Sequence, residues 1–301
     1  MKRNLRIALI VVLALAVSTA SAFATVVSAS LNKINIEVDG ELKAVSGEFF
    51  VRPTGDLPYS ILYKGTTYLP LYKVCEFVGK AVSWDGNTRT VFIDNPDLPM
   101  DPAPASTAEP GTHQDESIDC VFDSLYIQVN GQVFAKPGQQ FDRGEGNMVP
   151  YSLLYRGTTY LPLAAVCQIV GKDISWNAAT YTAVVKNRAA LGVYSGTDVP
   201  DYGKLCKLSL SEETGEDDVM VYNYYDYNMT SRSGMEEEDL QKYVSYLFDA
   251  GFTFVKEDSR KLISNTPTTL YVYKNEASGR IVVIGLVQYE GLSQAVVSYT
   301  K

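Results

Sequence analysis

Catalytic and metal-binding chemistry in this chain is limited first by its histidine content, because imidazole is a common general base and metal ligand. The 301-residue chain has one histidine, His113, which lies among prolines and small polar residues and is expected to be solvated. A lone imidazole cannot build a three-histidine copper site, nor is it placed to serve a Ser-His-Asp or Cys-His mechanism. The chain has no C-x-x-C pair, G-x-x-x-x-G-K-[ST] loop or G-x-G-x-x-G loop. These features predict a non-enzyme with no catalytic residue, no cofactor and no metal site.

Paired carboxylates are a catalytic device that needs no histidine. Acidic residues are concentrated at 212–218 and 236–239. A glycosidase-like, carboxylate-dependent hydrolase in the C-terminal part of the chain is therefore the alternative to a non-catalytic protein. The second acidic run falls in the first turn of a predicted helix, where carboxylates complement the helix dipole, and the first run contains a glycine. We predict that both runs form solvated acidic surface.

The four cysteines divide into two kinds. Cys75 and Cys167 occupy the same place in two similar segments, on the apolar face of a predicted helix, and are expected to be buried and unreactive. Cys120 and Cys206 lie outside those segments, and the sequence leaves a disulfide between them open.

The strongest pattern in the chain is an internal repeat at an offset of 92 residues. Residues 58–95 and residues 150–187 align without a gap, and 22 of the 38 positions are identical. Upstream, the alignment continues at an offset of 91 and matches Arg52 with Arg143. The repeat predicts two copies of one structural unit.

Local signals predict the elements of each copy. Asp39-Gly40, matched by Asn130-Gly131, is typical of a two-residue hairpin turn, and Lys64-Gly65 lies at the turn of a second predicted hairpin. Pro70 suits the first turn of a helix that ends at Gly79, and two further strands are expected at 81–84 and 88–93. Each copy is therefore predicted to be a small antiparallel sheet packed on one short helix.

The predicted helix has one face that is the same in both copies. Leu71, Val74, Cys75 and Val78 are spaced as a single apolar face and recur in the second copy. The pair Tyr72-Lys73 is replaced by Ala164-Ala165, so we expect these positions to face solvent.

The repeated string, with YKGTTYLPL followed by the apolar helix and then Ser83-Trp84, resembles the copper amine oxidase N-terminal-like domain, also called the stalk domain. The resemblance covers residues 34–95 and 125–187. It implies a non-catalytic α+β module that is common, often in tandem, in exported proteins of Gram-positive bacteria. The quinone cofactor of those oxidases forms from a tyrosine in Asn-Tyr-Asp or Asn-Tyr-Glu, whereas the nearest string here is Asn223-Tyr224-Tyr225. The resemblance therefore implies a module without oxidase activity.

The N-terminus predicts export. Lys2, Arg3 and Arg6 precede an apolar run at 7–17 and then small residues, which is the order found in a signal peptide at 1–24 with cleavage after Ala24. No later run is long and apolar enough to span a bilayer, and the net charge of −9 disfavours nucleic acid as a partner. We expect a secreted or cell-wall-associated protein.

The remaining segments complete the predicted domain organisation. Repeat 1 is expected at 34–95, a stiff Pro-rich linker at 96–117 and repeat 2 at 118–187, with the two copies as separate modules. Residues 199–301 are predicted to form a different α+β domain, with one helix on an antiparallel sheet, of no family that we recognise. The overall fold class is α+β.

Repeated polar residues in loops are the candidate binding residues. Arg52 and Tyr59 in the first copy match Arg143 and Tyr151 in the second, and a tyrosine beside a guanidinium suits a polymer with sugar faces and anionic groups. The sequence therefore predicts a non-catalytic envelope protein whose tandem modules tether or project the C-terminal domain. A cell-wall polymer or another envelope protein is the expected partner. The alternative role for the repeated residues is that they only brace the loop.

Overall fold

The computed structural model describes residues 26–31, 34–50, 56–94, 108–109, 117–122, 124–143, 146–207, 212–216, 219–225, 237–260, 268–289 and 292–300. Of these residues 55% are in strands and 15% in four helices, so the fold is a β-rich α+β fold. The predicted signal peptide, His113 and Arg52 lie outside the described residues.

Except for a two-residue strand at 108–109, the elements of the two copies correspond one to one. The first copy, with the strand before it, consists of β1 (Val26–Leu31), β2 (Asn35–Val38), β3 (Glu41–Ala44), β4 (Phe49–Phe50), β5 (Leu57–Pro58), β6 (Ile61–Tyr63), β7 (Thr66–Pro70), α1 (Leu71–Phe77), β8 (Val82–Asp85) and β9 (Thr90–Ile93). The second consists of β10 (Ala108–Glu109), β11 (Ser117–Phe122), β12 (Tyr126–Val129), β13 (Gln132–Ala135), β14 (Gln140–Asp142), β15 (Met148–Pro150), β16 (Leu153–Tyr155), β17 (Thr158–Pro162), α2 (Leu163–Ile169), β18 (Lys172–Asn177) and β19 (Thr182–Asn187).

Local signals in the sequence predicted the turns and helix starts of both copies correctly. Asp39 and Gly40 have φ values of 51° and 86°, and Asn130 and Gly131 have 48° and 83°, as a tight hairpin of the predicted type requires. Pro70 precedes α1 with φ of −58°, and Gly79 takes the left-handed conformation with φ of 69° just after it.

Each copy exchanges its opening hairpin with the other. The hairpin β2–β3 forms a four-stranded sheet with β18 and β19 of the second copy, and the hairpin β12–β13 forms the matching sheet with β8 and β9 of the first. In both sheets the exchanged strand runs parallel to its new neighbour, with Ile36 opposite Ala183 and Ile127 opposite Val91. The predicted sheets were antiparallel and confined to one copy, and both of these expectations are wrong.

A closed six-stranded barrel joins the copies a second time. Its strands follow the order β1, β11, β16, β17, β7 and β6, three from each copy. In the β7–β17 pair Leu69 lies opposite its own counterpart Leu161, as expected for two copies related by an approximate two-fold axis. Tyr68 Oη donates to the carbonyl oxygen of Pro150 at 2.7 Å, and Tyr160 Oη donates to that of Pro58 at 2.8 Å, so these hydrogen bonds are also exchanged.

The predicted separation of the copies into independent modules is therefore wrong. Equivalent strands of similar sequence can complete the same hydrogen-bond ladder within a copy or between copies, so a repeat in sequence does not specify which strand pairs with which. The first structural unit also begins before the residues predicted as repeat 1, because β1 is a strand of the barrel. The predicted linker contributes β10, which pairs with β4. Residues 96–107 and 110–116 of the predicted linker lie outside the described residues.

The helix position that was expected to face solvent is buried in both copies. Lys73 has 1% of its side chain exposed and donates to Glu76 at 2.7 Å, and its counterpart Ala165 is 2% exposed. The reason is that the helix has structure on two sides: Ala165 belongs to the barrel core, whereas Val166 and Cys167 belong to the larger core formed with the exchanged sheets.

The C-terminal domain is one helix on an antiparallel sheet, as predicted. The sheet order is β20, β21, β25, β24, β23 and β22, and every pairing is antiparallel. A short helix not predicted from the sequence precedes the sheet. The elements are α3 (Tyr202–Cys206), β20 (Glu212–Glu216), β21 (Val219–Tyr225), α4 (Glu237–Asp249), β22 (Phe252–Arg260), β23 (Thr268–Asn275), β24 (Ile281–Tyr289) and β25 (Leu292–Thr300).

The C-terminal domain packs on the exchanged hairpin of the second copy. Tyr273 Oη donates to Gln132 Oε1 at 2.6 Å inside the interface, and the rings of Phe248 and Phe134 lie 6.4 Å apart. One continuous cluster of buried apolar residues includes both exchanged sheets, α2, α4 and the C-terminal sheet. The tandem and the C-terminal domain therefore share a core.

Candidate functional site

Arg143 braces a turn of the other copy. Its Nη1 donates to the carbonyl oxygen of Lys64 at 2.5 Å and lies 3.5 Å from Thr66 Oγ1. Gly65, between them, has φ of 73°, and a Cβ built there would lie 2.8 Å from Arg143 Nη1. The guanidinium therefore packs on a backbone that only glycine accommodates. This is the bracing role that the sequence left open as the alternative.

The two predicted tyrosine sites do not present matching rings to solvent. Tyr59 is 5% exposed, its ring lies parallel to that of Phe77 at 6.1 Å, and the Lys73 ammonium lies 5.7 Å from its centre. Tyr151 is half-buried and packs edge-on against Phe141 at 5.6 Å. Because Tyr59 is buried next to the paired strands β4 and β5, its ring cannot stack on a sugar.

A cavity of about 740 Å³ lies at the junction of the two copies and the C-terminal domain. We call it the junction groove. Its wall is formed by the β6–β7 turn of the first copy, by β14, α2 and β18 of the second copy, and by α4; it includes Thr66, Phe141, Ala164, Gln168, Ile174 and Trp176. The volume is within the range of sites that hold small molecules.

Charged residues in the junction groove are mostly cations. Arg143, Lys172, Arg188 and Lys242 line it, together with two carboxylates, those of Asp142 and Asp173. Lys172 also forms an ion pair with Asp39 at 2.9 Å, which holds the pKa of that carboxyl below its usual range through the hydrogen bond to the ammonium. Two of the four cations are therefore neutralised by carboxylates of the protein, Lys172 by Asp39 and Arg188 by Asp249.

Arg188 is fixed at the edge of the groove. Its Nη1 donates to Ser245 Oγ at 2.6 Å, its Nη2 donates to Asp249 Oδ2 at 2.5 Å, and the guanidinium lies 3.4 Å from the centre of the Tyr246 ring. Its side chain is 3% exposed, and Nε has no hydrogen-bond partner in the part of the chain that the structure describes. A buried donor of this kind is costly unless something accepts its hydrogen bond.

Both tryptophans of the chain occupy the same repeat position and are exposed. Trp84 on β8 is 52% exposed, and Trp176 on β18 is 51% exposed and packs edge-on against Tyr181 at 5.8 Å. In the sequence this tryptophan is visible only as part of the repeated string. Its functional signal was its retention in both copies, but burial could not be inferred from the string.

Cysteines in the structure are all free. Cys75 and Cys167 are buried as predicted, Cys120 lies in the barrel core, and Cys206 is partly exposed on α3. The disulfide that the sequence left open between Cys120 and Cys206 is not formed. Burial raises the pKa of Cys75 and of Cys167 to about 12 and that of Cys120 to about 11.

We expect an alkylating reagent at neutral pH to label Cys206 first, and the other three thiols only after unfolding, because the thiolate is the reactive form. Mass spectrometry of peptides after timed labelling measures this order. Since the folded pKa values of Cys75 and Cys167 lie above the ordinary 9.0, the folded state loses stability as pH rises from about 9 to about 12. Rapid native labelling of Cys75 or Cys167 would contradict the packing of α1 and α2.

Most of the acidic residues on which a hydrolase would depend have no described side chain. Of the runs 212–218 and 236–239, only Asp239 has a described side chain. Among the described residues, no group of three or more His, Cys, Asp or Glu is placed to hold a metal ion. None of the helices that the structure describes has the length and apolar composition needed to cross a membrane.

Comparison of the chain with protein-family models, with curated proteins and with solved structures finds no match in any of the three.

Proposed function

We propose that this is an exported, non-catalytic protein of the cell envelope that binds a wall polymer and carries its C-terminal domain on the fused tandem. The signal-peptide pattern and the resemblance to stalk domains support export and a non-catalytic role. The structure adds a rigid arrangement of two copies that share a barrel and exchange hairpins. In this proposal Tyr59 and Tyr151 do not contact the polymer, and other aromatic residues do.

The observation that carries the proposal is the exposure of Trp84 and Trp176 at one repeat position. An exposed indole leaves apolar area in water, at about 25 cal/mol per Å², so its retention at the same place in both copies needs a reason other than packing. A flat amphipathic ring is suited to stacking on the apolar face of a sugar. We infer that each copy offers one such face to the polymer.

The fused architecture makes two weak sites act together. Both tryptophans lie on edge strands of sheets that contain strands from both copies, so their relative positions are set by the fold and not by a linker. Binding at one indole therefore raises the effective concentration of polymer at the other without the entropy cost of ordering a chain.

The test is sedimentation with isolated walls of the native cells. We expect the Trp84→Ala, Trp176→Ala double variant to bind at least about tenfold more weakly than the parent, and either single variant to lose less, because avidity depends on both contacts. Tyr126→Ala removes an exposed aromatic ring that the repeat does not share and is the matched control. Equal binding by the folded double variant and the parent would show that the tryptophans are not the polymer contacts.

A further inference from the structure

We propose that the tip of the β18–β19 hairpin is the stronger of the two polymer sites and binds an uncharged chain of pyranose rings. We call residues 176–181 the second-copy tip and the matching residues 84–89 the first-copy tip. This inference rests on the proposed function, because it names the ligand class at Trp176 and ranks the two copies. The second ring of the site is Tyr181, which has no aromatic counterpart in the first copy.

Two exposed aromatic rings lie at right angles in the second-copy tip. Trp176 is 51% exposed and Tyr181 is 65% exposed, with ring centres 5.8 Å apart and ring planes at 83°. Because each residue keeps more than half of its surface in solvent, the pair forms an open corner. A pyranose that lies flat on one ring contacts the other ring with its edge, and a single exposed ring cannot provide both contacts.

Tyr181 has a backbone conformation that a bulky residue seldom adopts. Its φ is 51°, in the left-handed region. The turn imposes this conformation, because Arg89, at the matching position of the first copy, has the same φ. Arg89 has a structural contact there, since its Nε donates to the carbonyl oxygen of Ser124 at 2.8 Å. The Tyr181 ring lies mostly in solvent beside Trp176 instead, which points to a role in binding.

The exchanged hairpin of the first copy fixes the second-copy tip. Asn35 N donates to the carbonyl oxygen of Tyr181 at 2.8 Å, and Asn35 Nδ2 donates to that of Thr180 at 3.0 Å. Within the turn, Ala179 N donates to Asn177 Oδ1 at 3.1 Å. The backbone that carries the two rings is therefore ordered before a ligand binds, so little affinity is lost in ordering the site.

The second-copy tip has no charged side chain, whereas the first-copy tip has two. Asp85 and Arg89 of the first copy correspond to Asn177 and Tyr181. Hydrogen bonds within the turn, the largest effect being that of the Thr88 hydroxyl, hold the pKa of Asp85 below its usual range, so this carboxylate is ionised at neutral pH. A polyanion finds no cation in the second-copy tip, while an uncharged sugar ring loses nothing there.

The junction groove, which continues from Trp176, is also balanced in charge. Ile174 extends the apolar surface from the tryptophan into the groove. Four cations line the groove, and four carboxylates match them: Asp142 and Asp173 in the wall, and Asp39 and Asp249 in ion pairs with Lys172 and Arg188. A polymer that runs from the second-copy tip along this groove therefore meets apolar surface without net charge, which favours an uncharged chain over an acidic one.

The fluorescence of Trp176 in a Trp84→Phe variant of the mature full chain tests the site. The chain has two tryptophans, so this variant reports on the second-copy tip alone. We expect cellohexaose, chitohexaose or both to change the emission saturably, and hexagalacturonate to bind at least about tenfold more weakly. The two uncharged hexaoses distinguish glucose rings from N-acetylated rings. The Trp176→Phe variant, which reports on the first-copy tip, should require a higher concentration of the same ligand.

Exchange of residues between the two tips provides matched variants. Tyr181→Arg installs the residue that the first copy holds at the same φ, so we expect the variant to fold and to bind the hexaose at least about fivefold more weakly. Tyr181→Phe keeps the ring and should retain most of the affinity. Arg89→Tyr combined with Asp85→Asn should strengthen binding at Trp84. Val255→Arg adds the same charge at a position 53% exposed in the C-terminal sheet and should leave the affinity unchanged.

Contrary results separate this inference from the proposed function. The second-copy tip is not the stronger, uncharged-sugar site if neither uncharged hexaose changes Trp176 emission, if hexagalacturonate binds as tightly, if the two tips bind equally, or if folded Tyr181→Arg binds as the parent does. Wall sedimentation that depends on Trp84 and Trp176 would then still support the proposed function. Hexaose binding by a parent protein that does not sediment with walls would support the tip and contradict the envelope role.

Discussion

Cutting the chain between the two copies is expected to leave one particle. A protease site placed between residues 97 and 104 breaks the connection between β9 and β10 without touching a described element. Five strand pairs then still join the two pieces: β1–β11, β7–β17, β9–β12, β2–β19 and β4–β10. Because exchanged hairpins complete the partner's sheets, separation requires that both copies unfold.

Size-exclusion chromatography before and after cleavage measures this outcome, with the extent of cutting checked under denaturing conditions. We expect the nicked protein to elute at the parent position even after dilution, and to release two fragments only in concentrated urea. The uncut parent in the same urea series is the control. Elution of the N-terminal fragment by itself in native buffer would show that the copies are independent units joined by a linker.

A single core substitution in the first copy is expected to destabilise both copies. Leu69 is 1% exposed, lies opposite Leu161 in the β7–β17 pair that joins the two copies, and packs in the larger core that both copies share. Leu69→Ala removes buried methyl groups and leaves a cavity, which costs about 2–5 kcal/mol of unfolding free energy. Since the barrel contains three strands from each copy, neither copy can keep its part of the barrel when the other unfolds.

The two tryptophans allow the unfolding of each copy to be measured separately. Trp84 reports on the first copy and Trp176 on the second, so Trp176→Phe and Trp84→Phe each leave one reporter. We expect Leu69→Ala to lower the urea midpoint of both reporters by the same amount. Val255→Ala, at a position 53% exposed in the C-terminal sheet, is the control and should change neither. A shift confined to Trp84 would contradict the shared barrel.

Much of the local structure was determined by the sequence itself. The hairpin turns at Asp39-Gly40 and Asn130-Gly131, the helix after Pro70 and the β-rich C-terminal sheet all follow from φ preferences and from the spacing of apolar residues, which act over a few positions. The burial of Cys75 and Cys167 was predictable for the same reason, because a repeated helix face identifies the side that enters a core.

What the sequence did not determine is which of two equivalent strands pairs with which. The hairpin β2–β3 finds similar backbone hydrogen-bonding groups and apolar residues in β9 or in β19, so only the three-dimensional path of the chain decides that the copies exchange hairpins. The burial of Tyr59 and Lys73 and the exposure of Trp84 and Trp176 are likewise set by tertiary packing, which the spacing of residues along the chain does not show. The junction groove is the clearest case: Phe141, Arg188 and Lys242 are far apart in sequence, and only packing of α4 beside the second copy brings them around one cavity.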